Sequence, residues 1–121
     1  MPRRSSRVAL APVVTGLDQP VGLTGPIGDA RVFVVEQDGG IRLIKNGALV
    51  ASPYLNLAGT AGPVLSGGER GLLGLAFHPQ FAEQGTPGYG RFYTYTDTSN
   101  VTPKADFVTP GPKRTHDTVL L

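Results

Sequence analysis

A glutamate and an arginine, Glu69 and Arg70, stand side by side in a glycine-rich stretch and are the residues of this sequence best suited to bind a ligand. They lie in residues 67–79, GGERGLLGLAFHP, where an apolar run follows the charged pair directly. A carboxylate and a guanidinium form charge-assisted hydrogen bonds, which are stronger than neutral ones. Most such pairs in loops are simply solvated, so the role of this pair depends on the elements that position it.

Neither histidine of the sequence predicts a catalytic or metal site. His78 and His116 lie far apart in the chain, and neither has carboxylates at metal-ligand spacing. His116 and Asp117 are neighbours, and adjacent residues of a strand point to opposite faces, so they do not orient one another as an acid-base pair. The sequence therefore predicts no catalytic residue and no metal ligand.

The apolar run after the charged pair, residues 72–78, predicts a strand with two unequal faces. Leu73, Leu75 and Phe77 would form a bulky face, while the other face would carry Leu72, Gly74, Ala76 and His78, with small residues in its middle. A strand with one small face suits a place where several strands converge, such as the axis of a β-propeller. The preceding loop would then carry the charged pair to the mouth of a central channel.

Residues 21–57 predict a four-stranded antiparallel meander, which is the size of one propeller blade. Asp38-Gly39 and Asn46-Gly47, each between apolar runs, are strong hairpin signals. A short extended piece at 13–15 precedes the meander. The predicted strands span residues 21–25, 31–37, 41–45 and 48–50.

A second unit repeats the first. Residues 73–75 resemble 21–23 at an offset of 52, and residues 91–93 resemble 31–33 at an offset of 60. Two units at this spacing fit a blade period of about 40–50 residues. The second unit would have strands at 72–78, 92–96 and 118–121. The sequence ends within this third strand, which predicts a truncated chain. In a meander of this kind, the loop 58–70 and the hairpin at 37–39 share one face of the molecule.

Composition agrees with an all-β chain and excludes several functions. The 121 residues include 17 Gly and 11 Pro, which favours short strands and turns over helices, and no cysteine, which excludes disulfides. The net charge is +2, yet three arginines lie in the first seven residues, and without them 8 basic residues face 9 acidic ones. The body therefore lacks the basic surface that nucleic acid requires. No apolar run approaches the ~20 residues of a membrane span, and no signal peptide is recognisable.

Three stretches together resemble the glucose/sorbosone dehydrogenase family. They are GLDQPVGLTG at 16–25, RVFVVEQDGGIRLIKNG at 31–47 and GGERGLLGLAFHPQF at 67–81. The resemblance implies a six-bladed β-propeller, of which residues 12–121 would form the first blade and most of the second, after a disordered tail at 1–11. It also implies a soluble quinoprotein that oxidises sugars with pyrroloquinoline quinone, together with calcium, in the periplasm or as a secreted protein.

The resemblance assigns one candidate position to this chain. Glu69, with Arg70 beside it, falls where the family has a glutamine lining the quinone and sugar pocket. The family's catalytic histidine belongs to an Asp-His pair, whereas His116-Asp117 has the opposite order, so no catalytic role is transferred. The remaining quinone and calcium ligands belong to later blades. The fragment alone is therefore expected to bind quinone and calcium poorly and to be inactive on the sugar substrate of its full-length parent.

An alternative function is a non-catalytic propeller module that binds a protein or a glycan. Sequences with GERGLLG include hedgehog-interacting-protein-like propellers, which are not established as sugar oxidisers. In either case the open strand edges, at 91–97 and 118–121, predict self-association of the isolated chain.

Overall fold

A computed structural model describes residues 3–58, 64–99 and 116–120, with Ser99 and the last five described by their backbone alone. In these ranges the chain is all-β, as predicted, with eight strands in two antiparallel sheets and no helix. Within the same ranges, no helix is long and apolar enough to cross a membrane. Sheet 1 contains β1 (Pro20–Thr24), β2 (Val32–Glu36), β3 (Gly40–Lys45), β4 (Ala48–Leu49) and β5 (Leu55–Asn56), and sheet 2 contains β6 (Leu72–Phe77), β7 (Phe92–Ser99) and β8 (His116–Leu120).

Sheet 1 is the predicted meander, with one difference in its outer strand. The turn between β3 and β4 has positive φ at both Asn46 (52°) and Gly47 (76°), the type I′ pattern that the Asn-Gly pair predicts. The predicted fourth strand is split: β4 pairs with one end of β3 and β5 pairs with the other. The chain leaves the ladder at 51–53, where Pro53 has no N–H to donate. Residues 13–15, predicted to be extended, lie outside both sheets.

Sheet 2 repeats the register of sheet 1. Each of the pairs between β1 and β2 recurs between β6 and β7 at the predicted offsets of 52 and 60, so that Gly22 opposite Val35 becomes Gly74 opposite Tyr95. Both strand pairs also carry a bulge one residue before the glycine. The internal repeat predicted from the sequence is therefore confirmed at the level of individual residue pairs.

The bulge corrects the predicted faces of β6. Leu72 is fully buried and lies on the same side as the core-facing Leu75 and Phe77, whereas Leu73 is 39% exposed. Strict alternation would have placed Leu72 opposite Leu75 and Phe77. An extra residue in one strand shifts the alternation by one position, and the sequence pattern 72–78 does not show where that shift falls.

The hydrophobic core lies between the two sheets. One face of sheet 1 packs against one face of sheet 2, and we name each after one of its residues. The Phe33 face of sheet 1 comprises Gly22, Thr24, Phe33, Val35, Ile41 and Leu43, and the Phe77 face of sheet 2 comprises Leu72, Leu75, Phe77, Phe92, Thr94 and Thr96. The rings of Phe33 and Phe77 lie 4.7 Å apart between centroids, and Tyr54 meets Phe33 edge-on at 4.9 Å. Edge-to-face contacts of this kind add to the free energy gained by burial.

An ion pair and two aromatic rings close one end of the core. Arg31 donates from Nε and Nη2 to the Asp29 carboxylate at 2.6–3.0 Å, and its backbone amide donates to Oδ1 at 2.9 Å. The guanidinium carbon lies 5.4 Å from the ring centroid of Phe33 and 5.9 Å from that of Phe81. The side-chain hydrogen bonds from Arg31 hold the pKa of Asp29 below its usual value. Arg31 therefore links the turn before β2 to the segment after β6.

Asp29→Asn should lower the free energy of unfolding by about 1 kcal/mol at pH 7. A carboxyl with a depressed folded-state pKa stabilises the fold above its unfolded pKa, and this stabilisation is lost as pH falls through the folded value. The difference between wild type and variant should therefore vanish well below pH 4. Urea unfolding at neutral and acidic pH measures both values. Asp18→Asn, at an exposed aspartate whose described contact is through its backbone amide, is the matched control. A difference that persists in acid would contradict the ion-pair account.

Candidate functional site

The charged pair lies on a tight hairpin turn, residues 67–70. Gly67 and Arg70 exchange two backbone hydrogen bonds of 3.2 Å, and φ is positive at Gly68 (62°) but not at Glu69. Glycine at the first central position is typical of a type II′ turn. The glycines thus allow the turn, and Glu69 occupies its exposed second central position.

Gln37 holds this turn against the end of β2. Its Nε2 donates to the carbonyl oxygens of Gly68 at 2.7 Å and of Arg70 at 2.9 Å, and its own carbonyl accepts from Leu72 N at 2.9 Å. The predicted sharing of one face by the 67–70 turn and the 37–39 hairpin is therefore right. We call the surface formed by residues 37–39 and 67–71 the loop edge.

Gly71 joins the loop edge to sheet 2. Its amide donates to Oδ2 of the buried Asp97 at 3.1 Å, and its carbonyl accepts from Asp97 N at 2.9 Å. Its φ of 151° lies where side chains are disfavoured, and a Cβ there would overlap the Gln37 carbonyl. The loop edge is consequently fixed from both sheets.

The side chains of Glu69 and Arg70 differ in burial and in hydrogen bonding. Arg70 is half-buried, and its Nε donates to Gly67 O at 3.4 Å. Glu69 is exposed, and its carboxylate forms no hydrogen bond or ion pair with any residue that the structure describes. Among the described residues, Glu69 therefore neither pairs with Arg70 nor caps the turn.

His78 does not contact the loop edge. The Nδ1 atom of His78 accepts from the Gln80 amide at 3.1 Å, and its ring packs against Gly88, so His78 shapes the turn after β6. His116 starts β8 opposite Ser99. In the described ranges there is no group of three or more His, Cys, Asp or Glu residues that could hold a metal ion. Weak binding of quinone and calcium by this fragment stays a prediction.

The residues that position the loop edge, Gln37 and Asp97, were not singled out from the sequence. Gln37 directly follows β2 and Asp97 lies within β7, and the two polar residues occupy the same repeat position at the offset of 60. Their backbones also bond alike, Gln37 N to Gln19 O at 3.0 Å and Asp97 N to Gly71 O at 2.9 Å. Superposing the two sequence units would have brought them together.

The fold and site define an all-β chain with two repeated antiparallel sheets and a rigid polar loop edge at their junction. No family model matches the chain. Hedgehog-interacting protein from Homo sapiens is 41% identical over 76 residues, and Hedgehog-interacting protein from Mus musculus is 38% identical over 76 residues. The matched region covers 60% of this chain and 11% of each of these relatives. The chain thus spans about a tenth of the length of the curated relatives it matches.

These similarities correct the function implied by the family resemblance. Identification with the glucose/sorbosone dehydrogenases is wrong, and so is the quinoprotein oxidoreductase function that it carried, because the relatives found are Hedgehog-interacting proteins. The structure gives a physical reason for the error. The glycines and Leu72 of the GGERGLLG string build the turn and the sheet junction. The GGERGLLG string is therefore explained by the fold and is not evidence of sugar oxidation.

Proposed function

We propose that this chain is part of a non-enzymatic binding module that contacts a protein partner through the loop edge. The observation that carries the proposal is the 41% identity to a protein named for its interaction with Hedgehog. Among the two kinds of ligand open at the sequence level, protein or glycan, the names of the relatives favour protein.

The physical state of the loop edge supports this role. The turn is fixed by the two hydrogen bonds of Gln37 and by the bond from Gly71 to Asp97, so binding would order little backbone. A preorganised surface loses less conformational entropy on association. Glu69 presents a carboxylate to solvent from this fixed backbone, where it can accept charge-assisted hydrogen bonds from a basic group of the partner.

A partial six-bladed β-propeller is the architecture we propose for residues 12–121. The repeated register and the stacking of sheet 1 on sheet 2 support it. In propellers, successive antiparallel sheets pack face to face around a common axis. The number of blades and a periplasmic or secreted location stay predictions.

Binding to purified Hedgehog tests the proposal. We expect saturable binding to the immobilised chain in surface plasmon resonance, weakened about tenfold or more by Glu69→Lys, since reversing a charge at a close ion pair costs more than about 1.4 kcal/mol. The Glu83→Lys variant is the matched control, because Glu83 is also an exposed glutamate in a turn but lies between β6 and β7. No saturable binding by the wild-type chain, or equal loss in both variants, would count against the proposal.

A further inference from the structure

Each sheet of this chain has a second face that does not pack against the other sheet. The Leu23 face of sheet 1 lies opposite the Phe33 face and comprises Pro20, Leu23, Val32, Val34, Glu36, Arg42 and Ile44. The Tyr95 face of sheet 2 lies opposite the Phe77 face and includes Gly74, Ala76, Tyr93 and Tyr95.

The internal repeat relates each outer face to an inner one. At the offset of 60, Tyr93 and Tyr95 take the positions of Phe33 and Val35. At the offset of 52, Leu75 takes the position of Leu23. The Tyr95 face is therefore the counterpart of the Phe33 face, and the Leu23 face is the counterpart of the Phe77 face. The two outer faces therefore occupy the same repeat positions as the two inner faces that pack against each other.

The exposed fractions of the side chains differ between the inner faces and their outer counterparts. Phe33 and Val35 are 0% and 2% exposed, whereas Tyr93 and Tyr95 are 39% and 52% exposed. Leu75 packs on the core, whereas Leu23 is 70% exposed. The Leu23 face is thus open around Leu23 itself, while Val34 and Ile44 on the same face are buried, at 3% and 6% exposed. Uncovered apolar side chains in the pattern of a packed interface mark an interaction surface.

The chemistry of the outer faces agrees with a mutual fit. Beside the Leu23 face, an apolar groove of about 350 Å³ lies between the sheet, which contributes Leu23, Val34 and Ile44, and the preceding segment, which contributes Val13, Val14 and Leu17. On the Tyr95 face, the rings of Tyr93 and Tyr95 can enter an apolar groove, and their hydroxyls can stay hydrated at its rim. Tyrosine is enriched at interfaces between proteins for this reason.

We propose that the Tyr95 face of one copy of this chain docks head to tail on the Leu23 face of a second copy, as the Phe33 face docks on the Phe77 face within each chain. Such a contact is heterologous, since it joins different surfaces of the two copies, and it closes into a ring if the rotation per unit allows. Propellers hold about 4–8 blades, so two to four copies of a two-unit chain would complete a ring.

Two charge substitutions test the contact, one on each face. Leu23→Asp and Tyr95→Asp lie at exposed positions, so both variants should fold, which circular dichroism verifies. Sedimentation velocity at high micromolar concentration then measures their mass. Ile27→Asp is the control, because Ile27 is 76% exposed in the turn between β1 and β2, away from both faces.

We expect the wild type and Ile27→Asp to form assemblies of two to four copies, and each face variant alone to be monomeric. An equimolar mixture of the two face variants should form a one-to-one dimer and nothing larger, because it retains one intact Tyr95 face and one intact Leu23 face. A monomeric wild type would overturn the proposal. Assemblies that persist in both variants would overturn it in favour of pairing at strand edges, and self-dimers of one variant would indicate contact between like faces.

Discussion

Replacing Phe33 with alanine should cost about 3–5 kcal/mol of the free energy of unfolding, which is most of the stability of a small domain. Phe33 is fully buried, and its ring contacts those of Tyr54 and Phe77 and the guanidinium of Arg31. Its removal leaves a cavity at the junction of the two sheets. We expect Phe33→Ala to be largely unfolded at 25 °C by circular dichroism and urea titration.

The repeat supplies a matched control for this prediction. Tyr93 occupies the same register position in sheet 2 but is 39% exposed, because its face is uncovered. Tyr93→Ala should cost less than about 1.5 kcal/mol under conditions where the chain is monomeric. Similar losses for the two variants would mean that the core does not lie between the sheets.

Gly71→Ala should cost about 2–3 kcal/mol, since a side chain at this φ is strained and its Cβ would overlap the backbone carbonyl of Gln37. The melting temperature should fall by about 8 °C or more. The change also separates β2 from β6, where Leu72 N donates to Gln37 O. Amide exchange at Leu72 should therefore be faster than in the wild type.

Gly85→Ala is the control that separates two effects at Gly71, the overlap of a Cβ with the Gln37 carbonyl and the backbone strain of a positive φ. Gly85 has φ of 81°, and a Cβ there meets nothing within 4 Å. Its replacement should cost only about 1 kcal/mol and leave the exchange of the Leu72 amide unchanged. If both glycine variants lose the same stability, the contact between Gly71 and Gln37 does not hold the loop edge.

Much of the fold could be predicted because its determinants are local. The Asn46-Gly47 turn follows from two adjacent residues, and the repeat follows from short apolar strings at constant offsets. The bulge at Leu73 and the split outer strand depend on pairing between segments, which no short string specifies. The position of the strand with unequal faces is therefore predicted correctly, but Leu72 is assigned to the wrong face.

The sequence predicts the position of the candidate site better than it predicts the ligand. The position of Glu69 on a glycine-rich turn follows from the residues around it. Its sugar-binding role came from resemblance alone, in a string whose glycines and leucines are needed by the fold itself. The side-chain hydrogen bonds of Gln37 and Asp97 span 26 to 33 residues along the chain, so short sequence patterns do not reveal them.

The two repeat offsets differ by eight residues, and the whole difference falls between β6 and β7. That segment folds upon itself: successive amides at 81, 83, 86, 89 and 91 each donate to the carbonyl three residues earlier. The segment is tied to the core through the buried ring of Phe81, and the hydrogen bond from Gly90 N to Phe81 O closes its base. The largely exposed turns between these two residues, at 82–87, can therefore be lengthened or carry a grafted sequence while the sheet beneath keeps its alignment.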